Sequence, residues 1–290
     1  MNFKMKALVA AAAVAMAGVA HADIQNANIG ATPVASAQSE LVFSAWSDTA
    51  QVGFTWDVEH SGFLSAISDA KLLNIIDANP KQTASLTGPA SIESKVAGVG
   101  GVVFDMKITG FDAFLTATGG VTDVKFNLFA GNSVGLDVHL ASFSSPLGTL
   151  SGGIFDNVGN TFVNYVNAVN GKMPGASYAT DDAVVTTAAD GVAYAGSAAW
   201  GHATLYPGLN FNAGLGEAIA LAVLYGNTTV AAEAKAFTLN GGALQASTYL
   251  AQDGYHLQIA AVPAVPEPET YAMLLAGLGL VGAVARRRRA

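Results

Sequence analysis

Few stretches of this 290-residue chain carry side chains that could do chemistry. Gly131-Asn132-Ser133-Val134-Gly135 has the Gly-x-Ser-x-Gly spacing of a hydrolase nucleophile. That motif works when a strand leads in and a helix leads out, so that the serine stands exposed on a strained turn. Here Leu136-Asp137-Val138-His139-Leu140 alternates apolar and polar residues like a second strand, so the pattern predicts a hairpin tip. As a nucleophile Ser133 would need His139 or His202 as its base, and the α/β alternation of a hydrolase is absent. Trp56-Asp57-Val58-Glu59-His60 holds three possible metal ligands, with Asp57 and Glu59 on one strand face and His60 on the other. Zinc needs three or four convergent ligands, whereas His60, His139, His202 and His256 are spread along the chain and read as members of polar surface faces. Asp57 with Glu59, or Asp105 with Asp112, would supply the paired carboxylates of a glycosidase, whose mechanism is decided by their separation. Asp181-Asp182 and Asp190-Gly191 read as loop acids, and no Asp-x-Asp-x-Asp-Gly calcium loop occurs. Gly277-Leu278-Gly279-Leu280-Val281-Gly282 has dinucleotide-binding spacing, but no strand precedes it and no acid follows about 20 residues on. The expectation is a chain with no catalytic residue, no bound metal and no cofactor.

The elements around these residues read as strands. Val52, Phe54, Trp56 and Val58 alternate with Gly53, Thr55 and Asp57. Val102, Phe104, Met106 and Ile108 alternate with Val103, Asp105, Lys107 and Thr109. The same period of two recurs over Val124–Leu128, Leu136–Leu140 and Tyr255–Ile259, and it predicts half-buried strands. Ser47-Asp48-Thr49-Ala50 separates the first of these runs from Leu41–Trp46. Asn240-Gly241-Gly242 joins Ala232–Leu239 to Ala243–Leu250, and Asp253-Gly254 leads into Tyr255–Ala261, which predicts a meander. Asn-Gly and Asp-Gly suit type I′ turns, whose two central residues need positive φ. Glu217–Tyr225 is apolar on both faces, as a strand covered on both sides would be.

Helical spacing is sparse. Phe162, Val163, Val166 and Val169 predict a helix over Asp156–Val169 with Asn170-Gly171 as its stop, and Leu64–Ile76 before Asn79-Pro80 predicts a second. The expected fold is all-β and mainly antiparallel, a β-sandwich or jelly-roll-like architecture with one or two short helices. Trp46, Trp56, Trp200, Tyr206, Tyr225, Tyr249 and Tyr255 would offer stacking faces for sugars if exposed; at strand spacing they read as core.

The two ends of the chain read as addresses. Lys4 and Lys6 precede an apolar run from Ala7 to Val19, and Ala20-His21-Ala22 before Asp23 is an Ala-x-Ala cleavage site. These are the parts of a secretory signal peptide over residues 1–22, a helix that signal peptidase would remove. At the other end Val265-Pro266-Glu267-Pro268-Glu269-Thr270 leads into an apolar run, Tyr271–Ala285, followed by Arg286, Arg287, Arg288 and Arg289. As a transmembrane-type helix the run would span roughly 22 Å at about 1.5 Å per residue, short of the ~30 Å hydrocarbon core. Snorkelling arginine stems or local bilayer thinning would close the gap. The four arginines set the cytoplasmic side.

Pro266-Glu267-Pro268, the apolar run and the arginine cluster together resemble the PEP-CTERM sorting signal of Gram-negative bacteria. The resemblance covers about 25 of the 290 residues, and the somewhat short apolar run is its one departure. It implies that an exosortase, a membrane protease, recognises Pro266, Glu267 and Pro268, that the tail is cut near them, and that the product reaches the cell surface or the extracellular space. Until then the C-terminal helix would hold the chain in the inner membrane. Exopolysaccharide is a common product of such bacteria and so a possible partner.

The resulting division is a signal peptide at 1–22, a β-rich domain at 23–262, a Pro-rich linker at 263–270, and a hydrophobic helix with its arginines at 271–290. With Lys4, Lys6 and the four arginines set aside, seven lysines face 21 acids, a formal net charge of −14. Phosphate recognition needs clustered Lys and Arg, so nucleic acid is excluded as a partner. There is no cysteine, and a span of this length builds a core without disulfides. The functional expectation is a non-enzymatic protein of the cell surface or extracellular matrix, structural, adhesive or exopolysaccharide-associated. The alternative is a secreted carbohydrate-active hydrolase using Asp57 and Glu59.

Overall fold

Leu41–Ser47 (β1) and Val52–Val58 (β2) pair antiparallel from Leu41 against Val58 to Ser47 against Val52, and both strands are buried along their whole length. The loop between them closes on Asp123, which accepts from Ser47 Oγ at 2.6 Å and from the Thr49 amide at 2.8 Å. The computed structural model describes residues 24, 40–58, 91–132, 137–143, 149–150, 152–173, 183–201, 211–227 and 230–262. The signal segment, the linker and tail, the expected helix at Leu64–Ile76, and Glu59, His60, Ser133, Asp181, Asp182, His202 and Tyr206 lie outside the described residues.

The remaining elements follow in order: Ser91–Glu93 (β3), Val102–Lys107 (β4), Phe111–Thr118 (α1), Val124–Asn132 (β5), Asp137–Phe143 (β6), Thr149–Leu150 (β7), Gly152–Asn170 (α2), Ala183–Thr187 (β8), a short 3₁₀ turn at Ala188–Ala193, Ala213–Gly214 (β9), Ala218–Asn227 (β10), Val230–Leu239 (β11), Gly242–Ala251 (β12) and Gly254–Val262 (β13). Ten strands lie on one hydrogen-bonded path, β4-β13-β12-β11-β10-β6-β5-β1-β2-β8, with β3 and β7 joined to β11 and β9 to β5. All the pairs are antiparallel except β3 with β11. The fold is thus mainly antiparallel β with few helices, as expected, and the strands form one curled sheet. The curl is visible at β10. Its outer edge pairs first with β12, at Ala218–Ala220, and then with β11, at Ala222–Asn227, while β6 runs along its other edge.

The sheet has a core on each face, and alternation sorts side chains between them. Ile219, Leu221 and Val223 of β10 enter one core; Ala222 and Leu224 enter the other. This is why Glu217–Tyr225 reads apolar on both sides. The first core draws residues from both ends of the strand path, including Phe104, Leu257 and Ile259 at one end and Phe54, Trp56 and Val185 at the other. α1 sits between them: the Phe111 ring lies 6.0 Å from Phe43, 5.2 Å from Phe54 and 5.5 Å from Tyr255. Gly110 (φ 76) and Gly119 (φ 69) bound this helix, both in the left-handed region that glycine enters without a Cβ clash.

α2 and the segment through Trp200 cover the second face. Phe162, Tyr165, Val166 and Val169, at helical spacing, meet Val42, Trp46, Phe129 and Phe143 from the strands. The expected helix is therefore present, running on to Asn170, where the Gly171 amide still donates to the Asn167 carbonyl at 3.1 Å. Asn170 then holds Ile24: the Ile24 amide donates to its Oδ1 and its Nδ2 donates to the Ile24 carbonyl, both at 2.9 Å, with Ile24 buried.

The meander β11-β12-β13 forms close to its expected boundaries. Asn240 (φ 52) and Gly241 (φ 76) are the central residues of its first turn, both with positive φ as a type I′ turn requires. The second turn differs from expectation. Ala251 pairs with Gly254, so the turn residues are Gln252-Asp253, and Gly254 opens β13 with φ 133.

Candidate functional site

Each residue weighed for chemistry in the sequence has a definite place. After Gly131 and Asn132 the chain returns as β6, a strand paired to β5 with Asn132 opposite Val138. A hydrolase nucleophile turn needs a helix there; here the chain continues as a strand, with Ser133 itself outside the described residues. His139, expected on a polar surface face, is buried at 1 % exposure. Its ring packs 5.1 Å from Phe129, and Gly159 of α2 lies so close that a Cβ there would sit 3.2 Å from His139 Nε2. Burial pushes its pKa down to about 3, so it is a neutral core residue. Asp57, also expected on a polar face, is 2 % exposed, next to the end of β2 and opposite Val42 of β1. The reason is common to both: α2 and residues 188–201 cover the face that a two-layer reading leaves in water. The cover is tight over β2, where a Cβ on Gly53 would lie 2.8 Å from the Ala195 nitrogen.

Asp190 is a structural acid. It accepts from the Thr187 amide and hydroxyl at 2.8 and 3.0 Å and pairs with Lys172 at 2.7 Å, tying the turn before Gly191 to the end of α2. The tryptophans are core as expected. Trp46, Trp56 and Trp200 are fully buried, which leaves no tryptophan face for a ligand, and Tyr255 packs on Phe111. Tyr249, by contrast, is 37 % exposed.

Tyr249 belongs to a polar cluster on the outward face of β12, β13 and β4. Register explains it. His256 pairs with Tyr249 on one side and Lys107 on the other, and Gln258 pairs with Asp105, so alternate residues of three adjacent strands point out together. Asp105 accepts from the Tyr249 hydroxyl at 2.9 and 2.8 Å, from His256 Nδ1 at 3.0 Å and from Gln258 Nε2 at 2.9 Å. His256 Nε2 lies 3.0 Å from Asp253 Oδ1. Partial burial would raise the Asp105 pKa, but the hydrogen bonds from Gln258, Tyr249 and His256 outweigh it and hold it below the usual 3.8. The bond to Asp105 raises the His256 pKa above 6.5, with Asp253 adding to it against a little desolvation. The bond to Asp105 likewise raises Tyr249.

Sequence reading named Asp105, Tyr249 and His256 separately and did not bring them together. The alternation of β4 and β13 was the available signal; the pairing register that aligns them joins positions about 150 apart and is not local. Chemically the cluster is closed on itself. The Asp105 carboxylate accepts from three donors, the Tyr249 hydroxyl being shared between its two oxygens, and both imidazole nitrogens are engaged with carboxylates. A general acid or base needs a proton site facing its substrate, and this arrangement spends its proton sites internally.

Among the described residues, no helix is long and apolar enough to cross a membrane, and no group of three or more His, Cys, Asp or Glu is arranged to hold a metal ion. No curated protein and no solved structure matches the chain. The positive finding lies at the C-terminal end, where the span that holds Pro266, Glu267, Pro268 and Arg286–Arg289 matches a known signal. Residues 264–289 match the family model of the PEP-CTERM protein-sorting motif, and the chain therefore carries the signal that exosortase, a membrane protein, processes.

Proposed function

We propose that this is an exported cell-surface or extracellular-matrix protein, sorted by exosortase, whose β-rich domain has a structural, adhesive or exopolysaccharide-associated role without catalysis. The match over residues 264–289 carries the reading. Ile24 supports the boundaries: two residues beyond the expected cleavage after Ala22, the chain is already fixed to α2 through Asn170. The burial of His139 and Asp57 and the engagement of Asp105 by Tyr249, His256 and Gln258 favour a non-catalytic domain over a hydrolase built on Asp57.

The test is to recover the protein from the cell surface and the medium, determine its two ends by intact mass, and assay it for both glycan binding and glycan turnover. A product that starts at Asp23, lacks Arg286–Arg289 and leaves glycans intact is expected. Released protein that keeps its arginines overturns the sorting reading; turnover of a glycan overturns the non-catalytic one.

A further inference from the structure

We propose that His256 is a proton-operated clasp. With both ring nitrogens occupied, it ties the tip of the β12–β13 hairpin, at Asp253, to the outermost strand β4, at Asp105; loss of one proton frees the Asp253 arm. The geometry carries this. The Nδ1–Asp105 and Nε2–Asp253 separations are both 3.0 Å. An ionised carboxylate only accepts hydrogen bonds, and a neutral imidazole has one donor nitrogen. Two carboxylates on two ring nitrogens are therefore satisfied together only by the imidazolium form.

The groups around the ring reinforce the choice. From β4 come Asp105 and Lys107, the latter opposite His256 in register. From β12 comes the Tyr249 hydroxyl, bound to Asp105 with its ring 5.3 Å from the imidazole. Asp253 comes from the turn itself, and Asp112 of α1 lies near Gly254, 3.9 Å from where a Cβ would stand. The two carboxylates bonded to the ring, Asp105 and Asp253, favour its charged form, in line with the raised His256 pKa, while the Lys107 cation opposes it.

When the ring loses a proton, one nitrogen turns a lone pair toward a carboxylate. Asp105 keeps Tyr249 and Gln258 as donors, whereas the Asp253 side chain is 63 % exposed and hydrates readily. The Asp253 arm releases and the Gln252-Asp253 turn loosens, while β4 keeps its ladder to β13. An exported chain would feel the pH of its surroundings directly at this point.

The experiment is an NMR titration of the intact, isotopically labelled chain in detergent micelles, with the His256 ring signal assigned by its loss in His256→Gln. The expected ring midpoint lies above 6.5, falls in Asp253→Asn and falls further in Asp105→Asn. The amides of Gln252, Asp253 and Gly254 should shift with the same midpoint, and this transition should vanish in His256→Gln. A midpoint at or below 6.5, or turn amides that do not follow the ring, overturns the proposal. Asp253 lies on an exposed turn, so its variant tests the clasp without threatening the fold.

Discussion

The Tyr165 ring lies 11° from parallel to the indole of Trp200, centroids 4.9 Å apart, and both side chains reach Ser44. The Tyr165 hydroxyl is 3.2 Å from Ser44 Oγ and also bonded to Thr55, while Trp200 Nε1 donates to Ser44 Oγ at 3.1 Å. One buried network thus joins α2, β1, β2 and the segment that closes the second face. Burial pushes the Tyr165 pKa up to about 12, so the phenol stays neutral and available as a donor.

Tyr165→Phe keeps the stacked ring and removes the hydroxyl that Ser44 and Thr55 share. Buried hydroxyls left with fewer partners cost about 1–3 kcal/mol, so urea unfolding should show a loss of that order. Adding Thr55→Val, which removes a stranded partner, should recover part of it. An unchanged midpoint in the single variant would remove the network from the account of stability.

Gly53→Ala should destabilise more than an exposed β-strand glycine substitution would. The new methyl meets the Ala195 backbone nitrogen at 2.8 Å, along with Thr186 and Tyr194. Overpacking against backbone typically costs about 1–3 kcal/mol. The loss should appear in the urea midpoint, and near-ultraviolet circular dichroism should report the disturbed environment of Tyr194 and the neighbouring tryptophans.

His139 gives the stability a pH dependence of definite sign. Its folded pKa, about 3, lies below its ordinary 6.5, so the unfolded chain binds the proton more tightly. The folded state therefore loses stability as pH falls below 6.5, by at most about 1.4 kcal/mol per pH unit. His139→Leu should flatten the wild-type slope between about pH 6.5 and 5, a window above the carboxylate range. Equal slopes in the two proteins would show that His139 is not the buried neutral group the packing describes.

Glu267→Ala should leave the tail in place, because it alters the acidic residue at the centre of the Pro-Glu-Pro segment within the matched span. The variant should accumulate in the envelope as an uncut form, read by fractionation and intact mass. Normal cutting and release would sever Glu267 from recognition.

What the sequence discloses is local. The Asn240-Gly241 turn between β11 and β12 declares itself, the one between β12 and β13 is displaced by one residue from Asp253-Gly254, and α2 shows its apolar stripe over Phe162, Val166 and Val169 with Asn170-Gly171 as its end. What stays hidden is what covers each face. Asp57 and His139 alternate with apolar neighbours as surface residues do, yet both are buried, on a face that α2 and residues 188–201, distant in the chain, help to cover. α1 escaped notice because it has eight residues, too short to show a period, and its glycine boundaries resemble loop. The Asp105–His256 pairing escaped for the same reason as the buried acids: register between β4 and β13 is set by the whole sheet. The sorting signal was legible because a linear motif needs no fold.

The route by which β13 leaves the sheet has a mechanical side. The strand runs out through Val262 toward the tail, with β12 bonded along one edge from Ala251 to Ala243 and β4 along the other from Lys107 to Val102. While the tail is held, tension enters the domain at Val262 and pulls on both ladders at once. Bonds strained in shear share the load, whereas a peeled outer strand gives way one pair at a time, so the chain is tethered by a strand braced on both edges.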